Sequence, residues 1–199
     1  VHSGILIHHY GHTPEAKESK NKTTLYTPLG EAKLNDVPSD WKSWFELGVE
    51  HNVNGRYEES INAFHKAAAL NPRYAPTWVN SGYVLCQLGR YEEAVHALQN
   101  ALKLQPRSDE ALCNLAVVYM RLRQFNKAER LLLRAVQINP RYTNALCNLG
   151  KTLCCLGRRP EAVPVYERAL AMLPNCPKAK ADLGAIWAEA GYITKAERY

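Results

Sequence analysis

Residues 75–108 read APTWVNSGYVLCQLGRYEEAVHALQNALKLQPRS, and the same residue types return at the same offsets every 34 positions on either side of this stretch. Gly82 has counterparts at Gly48, Gly150 and Gly184, Ala101 at Ala67, Ala135 and Ala169, and Pro106 at Pro72, Pro140 and Pro174. The run Gly89-Arg90-Tyr91-Glu92-Glu93 is repeated as Gly55-Arg56-Tyr57-Glu58-Glu59. A fixed period of this length marks a helical repeat array.

Each unit reads as two amphipathic helices. Trp78, Ser81, Gly82 and Leu85 share one face of the first, and Ala94, Leu98 and Ala101 share one face of the second. Gly82 and Ala94 let the two backbones approach, while Trp78, Tyr91 and Leu98 fill the space beside them. Gly55, Gly89 and Gly157 end first helices; Pro72, Pro106, Pro140 and Pro174 stop second helices, because proline lacks the amide donor and clashes with the preceding turn. A single hairpin cannot bury its apolar stripe, so each must stack on the next. The expectation is an all-α, right-handed αα-superhelix whose concave face is made mostly by first helices. Helix pairs are expected near 44–54 and 58–70 and again every 34 residues, with no strand after Trp41, and with Trp78, Leu98, Leu115, Leu132, Leu149 and Tyr166 buried.

Counted from Trp41, the unit has an aromatic or Leu at position 4 (Trp44, Trp78, Leu112, Leu146), Gly or Ala at 8, Ala at 20 and 27 and Pro at 32. This pattern resembles the tetratricopeptide repeat. It divides the chain into 41–74, 75–108, 109–142, 143–176 and a partial unit 177–199, behind a non-repeat segment 1–40. The last unit stops inside its second helix, which predicts an uncapped apolar face, self-association through it, and a chain that is a fragment of something longer.

The formal net charge of the 199 residues is +6, and residues 1–40 hold four of the 25 Lys and Arg against five of the 19 Asp and Glu. The basic excess therefore sits in the repeats, at Arg56, Arg90 and Arg158 before second helices and at Arg73, Arg107 and Arg141 behind the prolines. Such ridges are either solvated loop charge or a means of steering an acidic partner. Nucleic-acid binding asks for a denser patch interleaved with aromatics and is not expected. Cys113 and Cys147 share position 5, and Cys86 and Cys154 share position 12; with Cys155 and Cys176 they show no metal-ligand spacing and read as small apolar residues in a reducing cytoplasm. No signal peptide or membrane-length apolar run is present.

No phosphate-binding glycine loop, HExxH, nucleophile elbow or acidic loop pair occurs, so the repeats are expected to hold no catalytic residue, cofactor or metal. Residues 4–11 (GILIHHYG) read as a short strand, followed by His12 and a KESKNK run at 17–22. This segment resembles the closing strand of a family-2 glycosyltransferase domain of the kind that carries tetratricopeptide repeats behind it. That resemblance implies that His8 or His9 would lie near a nucleotide-sugar site and that the repeats present a polypeptide acceptor to a catalytic domain not contained in this chain.

The groove offers the main functional signal. Position 6 carries Glu46, Asn80, Asn114, Asn148 and Asp182. Each side-chain amide offers an acceptor and two donors, so a ladder of three can hydrogen-bond the backbone of an extended peptide; the arrangement is similar to the asparagine ladder in the repeats of the O-linked N-acetylglucosamine transferase. Neighbouring positions add Tyr83, Gln87, Cys113, Met120, Arg121, Asn144, Cys147, Lys151 and Cys154. Phe45, Val79 and Cys113 at position 5 do not reproduce the carboxylate clamp of chaperone-binding repeats. The expected partner is a protein segment or extended peptide.

Overall fold

A computed structural model of the chain describes residues 39–189, and every regular element among the described residues is an α-helix. The predicted strand at 4–11, with His8, His9 and His12, lies outside the described residues. The helices are α1 (Trp41–Val53), α2 (Tyr57–Leu70), α3 (Ala75–Gln87), α4 (Tyr91–Leu104), α5 (Asp109–Arg121), α6 (Phe125–Ile138), α7 (Thr143–Cys155), α8 (Arg159–Met172) and α9 (Pro177–Glu189). First helices begin about one turn earlier than the apolar stripe suggests, and at α1 and α5 a side-chain cap marks the start. The Asp40 carboxylate accepts the Lys42 amide at 3.1 Å, and the Ser108 hydroxyl accepts the Ala111 amide at 3.1 Å.

Helix ends follow the glycine and proline positions. Gly55, Gly89 and Gly157 adopt φ of +74°, +75° and +77°, and the residue behind each donates back into the helix, as Arg90 does to the Leu85 carbonyl at 2.9 Å. The third repeat makes the same turn without glycine. Arg123 takes φ +58°, its amide bonds the Met120 carbonyl at 3.0 Å, and the Gln124 amide bonds that of Tyr119 at 2.8 Å. Second helices stop two residues before each proline, and Gln105, Asn139 and Leu173 are extended, as a residue ahead of proline prefers.

Two compact units divide the chain between Leu70 and Asn71. In the first, α1 and α2 cross at Gly48, where an added Cβ would stand 2.6 Å from the Phe64 ring. The Ser60 hydroxyl donates to the Gly48 carbonyl at 2.7 Å, sealing the crossing. In the second unit Leu98 fills the space that a side chain on Gly82 would need, and Tyr166 does the same at Gly150. Between them Ala116 faces Leu132, both without solvent exposure. Within this unit each helix packs on the next in sequence, and α3, α5, α7 and α9 also touch in succession, whereas no second helix touches another. The first helices therefore form one continuous layer, as an αα-solenoid requires.

The expected core is found with one correction. Leu98, Leu132 and Tyr166 are fully buried, and Leu115 and Leu149 are 4% exposed. Trp78 is only half-buried. Its ring packs on Val79, Ala101 and Ala111, but its indole N–H donates to the Pro72 carbonyl at 2.8 Å, which holds the ring at the rim of the unit.

Candidate peptide-binding face

The layer formed by α3, α5 and α7 places the predicted groove residues on parallel helical stripes: Asn80, Tyr83 and Gln87 on α3, Asn114, Met120 and Arg121 on α5, Asn144, Asn148 and Lys151 on α7. Gln87, Arg121, Asn144 and Lys151 are exposed; Asn80, Tyr83, Asn114, Met120 and Cys154 are half-buried; Cys113 and Cys147 are buried. Glu46 belongs to the other unit.

The three asparagines are not equivalent. The Asn80 amide donates to the Pro76 carbonyl one turn back at 2.9 Å, leaving its oxygen open. Asn114 makes no side-chain hydrogen bond to any described residue. Asn148 is 9% exposed, donates to the Cys113 thiol at 3.5 Å and accepts the Lys178 ammonium at 2.6 Å. That amide ties α5, α7 and α9 together, so its polar atoms are already occupied. Asp182, the next ladder position, accepts the Tyr166 hydroxyl at 2.9 Å. Sequence spacing could not show these engagements, since Lys178 and Tyr166 reach the ladder from adjoining helices. Tyr142, at the end of the third unit, was likewise absent from the sequence reading. Its pKa is raised by burial and by the neighbouring Cys113 thiol.

The chemistry of this face is that of hydrogen bonding, not of nucleophilic attack. Burial pushes the Cys113 thiol up to about 11 against the opposing hydrogen bonds of Asn148 and Tyr142. Cys147 is pushed up to about 12 by burial and by the Cys176 thiol, with sulfurs 3.7 Å apart. Burial also raises Cys86, partly opposed by the Arg121 charge. A thiol is nucleophilic only as thiolate, so these groups are held inert. All six cysteines are free thiols, and no cluster of three metal-ligating side chains occurs among the described residues. No described helix is long and apolar enough to cross a membrane.

The basic positions ahead of second helices are largely committed. Arg90 makes a paired contact with Glu93 at 2.7 and 2.8 Å, and Arg158 bonds both Glu161 and Glu129 at 2.7 Å. These hydrogen bonds raise the Arg158 pKa and lower that of Glu161.

Similar proteins agree with this architecture. Three models of one repeat family match the chain, two described as tetratricopeptide repeat over residues 42–74 and 107–175 and one as TPR repeat over 82–122. Among solved structures, Pseudomonas aeruginosa PilF superposes with a TM-score of 0.75 at 19% identity over 80% of this chain and 72% of that one. The thermophilic TPR protein TTC0263 of Thermus thermophilus gives 0.69 at 23% identity over 78% and 86%. YrrB, described as a TPR protein with an unusual peptide-binding site, gives 0.65 at 22% identity over 84% and 86%. No curated protein matches the chain in sequence. None of these similarities supports the glycosyltransferase resemblance of residues 1–40. The 34-residue period, the small residues at each helix crossing and the three family matches carry one conclusion: the chain belongs to the tetratricopeptide-repeat family.

Proposed function

We propose that the chain is a protein-interaction module that holds an extended peptide segment of a partner across α3, α5 and α7. The observation that carries this reading is the direct succession of first helices, which sets Asn80, Tyr83 and Gln87 beside Asn114 and Arg121 and those beside Asn144 and Lys151. Asn114 and the Asn80 oxygen supply backbone-directed hydrogen bonds, Tyr83 and Met120 supply adaptable apolar surface, and Asn148 supports the face from beneath. The peptide-binding site of YrrB supports the reading by associating this fold with peptide binding. No described residue bears on the sugar-transfer alternative for residues 1–40.

The test is selection from a displayed library of random unstructured peptides, followed by titration of one selected sequence. Two lost hydrogen bonds should weaken binding of the Asn80→Ala, Asn114→Ala variant by roughly 5- to 100-fold. Little dependence on salt should accompany this loss. Unchanged affinity in a variant with intact circular dichroism would leave the asparagines a structural role only.

A further inference from the structure

The outer face of α6 differs from that of every other complete second helix. Position 19 carries Glu59, Glu93 and Glu161 in three repeats and Lys127 in the third, and position 15 carries Gly55, Gly89 and Gly157 but Arg123. Both departures break a local rule. A cation in the first turn opposes the helix dipole, and a non-glycine residue at φ +58° occupies the left-handed region at a cost. What the two changes share is their product. Arg123, Lys127, Arg130, Arg134 and Arg141 follow one another at spacings of four, three, four and seven residues, and all five are exposed.

Ala128, Leu132 and Ala135 are the buried side of α6, which turns Arg130, Arg134 and Gln137 to the opposite side. None of the five cations has a carboxylate partner among the described residues. The one acidic residue of the helix, Glu129, is drawn off to Arg158 at 2.7 Å. Lys127 is steadied instead by the Tyr119 ring, 5.2 Å from its centroid. Amid the charges Leu133 stands 44% exposed. Sibling helices behave differently: Arg90 and Arg158 are matched by Glu93 and Glu161 at the starts of α4 and α8.

We infer that this face is a second docking surface, separate from the α3–α5–α7 layer, for an acidic protein segment that carries an aliphatic side chain between its carboxylates. Charge complementarity selects the acid, and Leu133 selects an apolar companion over a phosphate backbone. The Tyr119 ring beside Lys127 is half-buried and covered by that cation, so it offers bases no open platform for stacking. Local rules broken in concert, with no carboxylate among the described residues to balance the added charge, mark a surface kept for an external ligand.

The probe is a synthetic helical peptide with Glu at i, i+3 and i+7 flanking a Leu, titrated by fluorescence anisotropy beside a Leu-to-Ser version of itself and a duplex oligonucleotide. Wild-type protein should bind the Leu peptide more tightly than either control, with affinity falling as salt rises. The Arg123→Gly, Lys127→Glu variant restores the residues of the sibling repeats, so it should melt higher while binding the peptide about tenfold more weakly. Leu133→Ser should erase the preference for the Leu peptide. Absence of peptide binding, unchanged affinity in the double variant, a Leu133→Ser protein that keeps the preference, or tighter binding of the duplex would each overturn the inference.

Discussion

Gly150 lies beneath the ring of Tyr166, so close that a Cβ added to it would sit 2.6 Å from the ring Cζ. The ring is fully buried and its hydroxyl is bonded to Asp182, which denies it an easy retreat. Gly150→Ala should therefore cost about 1–3 kcal/mol through overpacking. Ala116 and Leu132 occupy the corresponding places in the third repeat, so Tyr166→Leu in the Gly150→Ala background should recover part of that loss. A four-protein cycle of urea denaturation measures the coupling; independence of the two changes would refute the contact.

Leu132 is fully enclosed between its own first helix and the next repeat. Its replacement by Ala should lower stability by about 2–5 kcal/mol, read from the denaturation midpoint. An unchanged midpoint would mean that the repeat register is wrong.

Arg123→Gly should stabilise the chain by up to about 1 kcal/mol, the relief of left-handed strain being partly offset by the freer unfolded state of glycine. Gly157→Arg should act in the opposite direction, since Gly157 has φ +77°. Equal melting temperatures for both variants and the wild type would show that the turn carries no strain.

Much of the fold is legible in the sequence alone. Gly82, Ala101 and Pro106 mark contacts and ends that depend on backbone geometry, and such demands restrict residue type strongly enough to show in one sequence. The start of α1 was less legible because Trp41, Lys42 and Ser43 carry no continuous apolar stripe; Asp40 held the signal. At Arg123 the glycine cue was missing although the turn was not. Asn148 could be placed on the inner layer by counting, but its bonds to Cys113 and Lys178 depend on packing between repeats, which a period does not encode.

Alkaline solution should destabilise the fold. Cys113 and Cys147 titrate at about 11 and about 12 in the folded chain, above an ordinary thiol value of 9.0, and Tyr142 and Tyr166 are shifted upward as well. The unfolded chain thus releases these protons first, so the stabilisation is complete below about pH 9 and is lost as pH rises through the folded values. Melting temperatures recorded from neutral to about pH 11 should decline beyond the thiol range, and a Cys113→Ala, Cys147→Ala protein should decline less steeply. Identical profiles would contradict the assignment.

Thiol labelling should be ordered by access. Cys155 is exposed, whereas Cys113, Cys147 and Cys176 are buried. An aromatic disulfide reagent should modify Cys155 first and the buried three only at the rate of opening, as peptide mass mapping over time would record. Modification of Cys113 as fast as Cys155 would show that the α5–α7 contact opens freely.

The succession of contacts among α3, α5, α7 and α9, and its absence among α4, α6 and α8, divides the second unit into a shared side and a set of private ones. A substitution on the shared side is felt by the helix in the adjoining repeat, as Asn148 is by both Cys113 and Lys178. A substitution on a private side meets no other second helix; apart from links at helix starts such as Glu129 to Arg158, it faces its own repeat and the water in front of it. The outer faces can therefore diversify one at a time, each second helix acquiring its own charge and its own ligand while the inner layer goes on holding the array together.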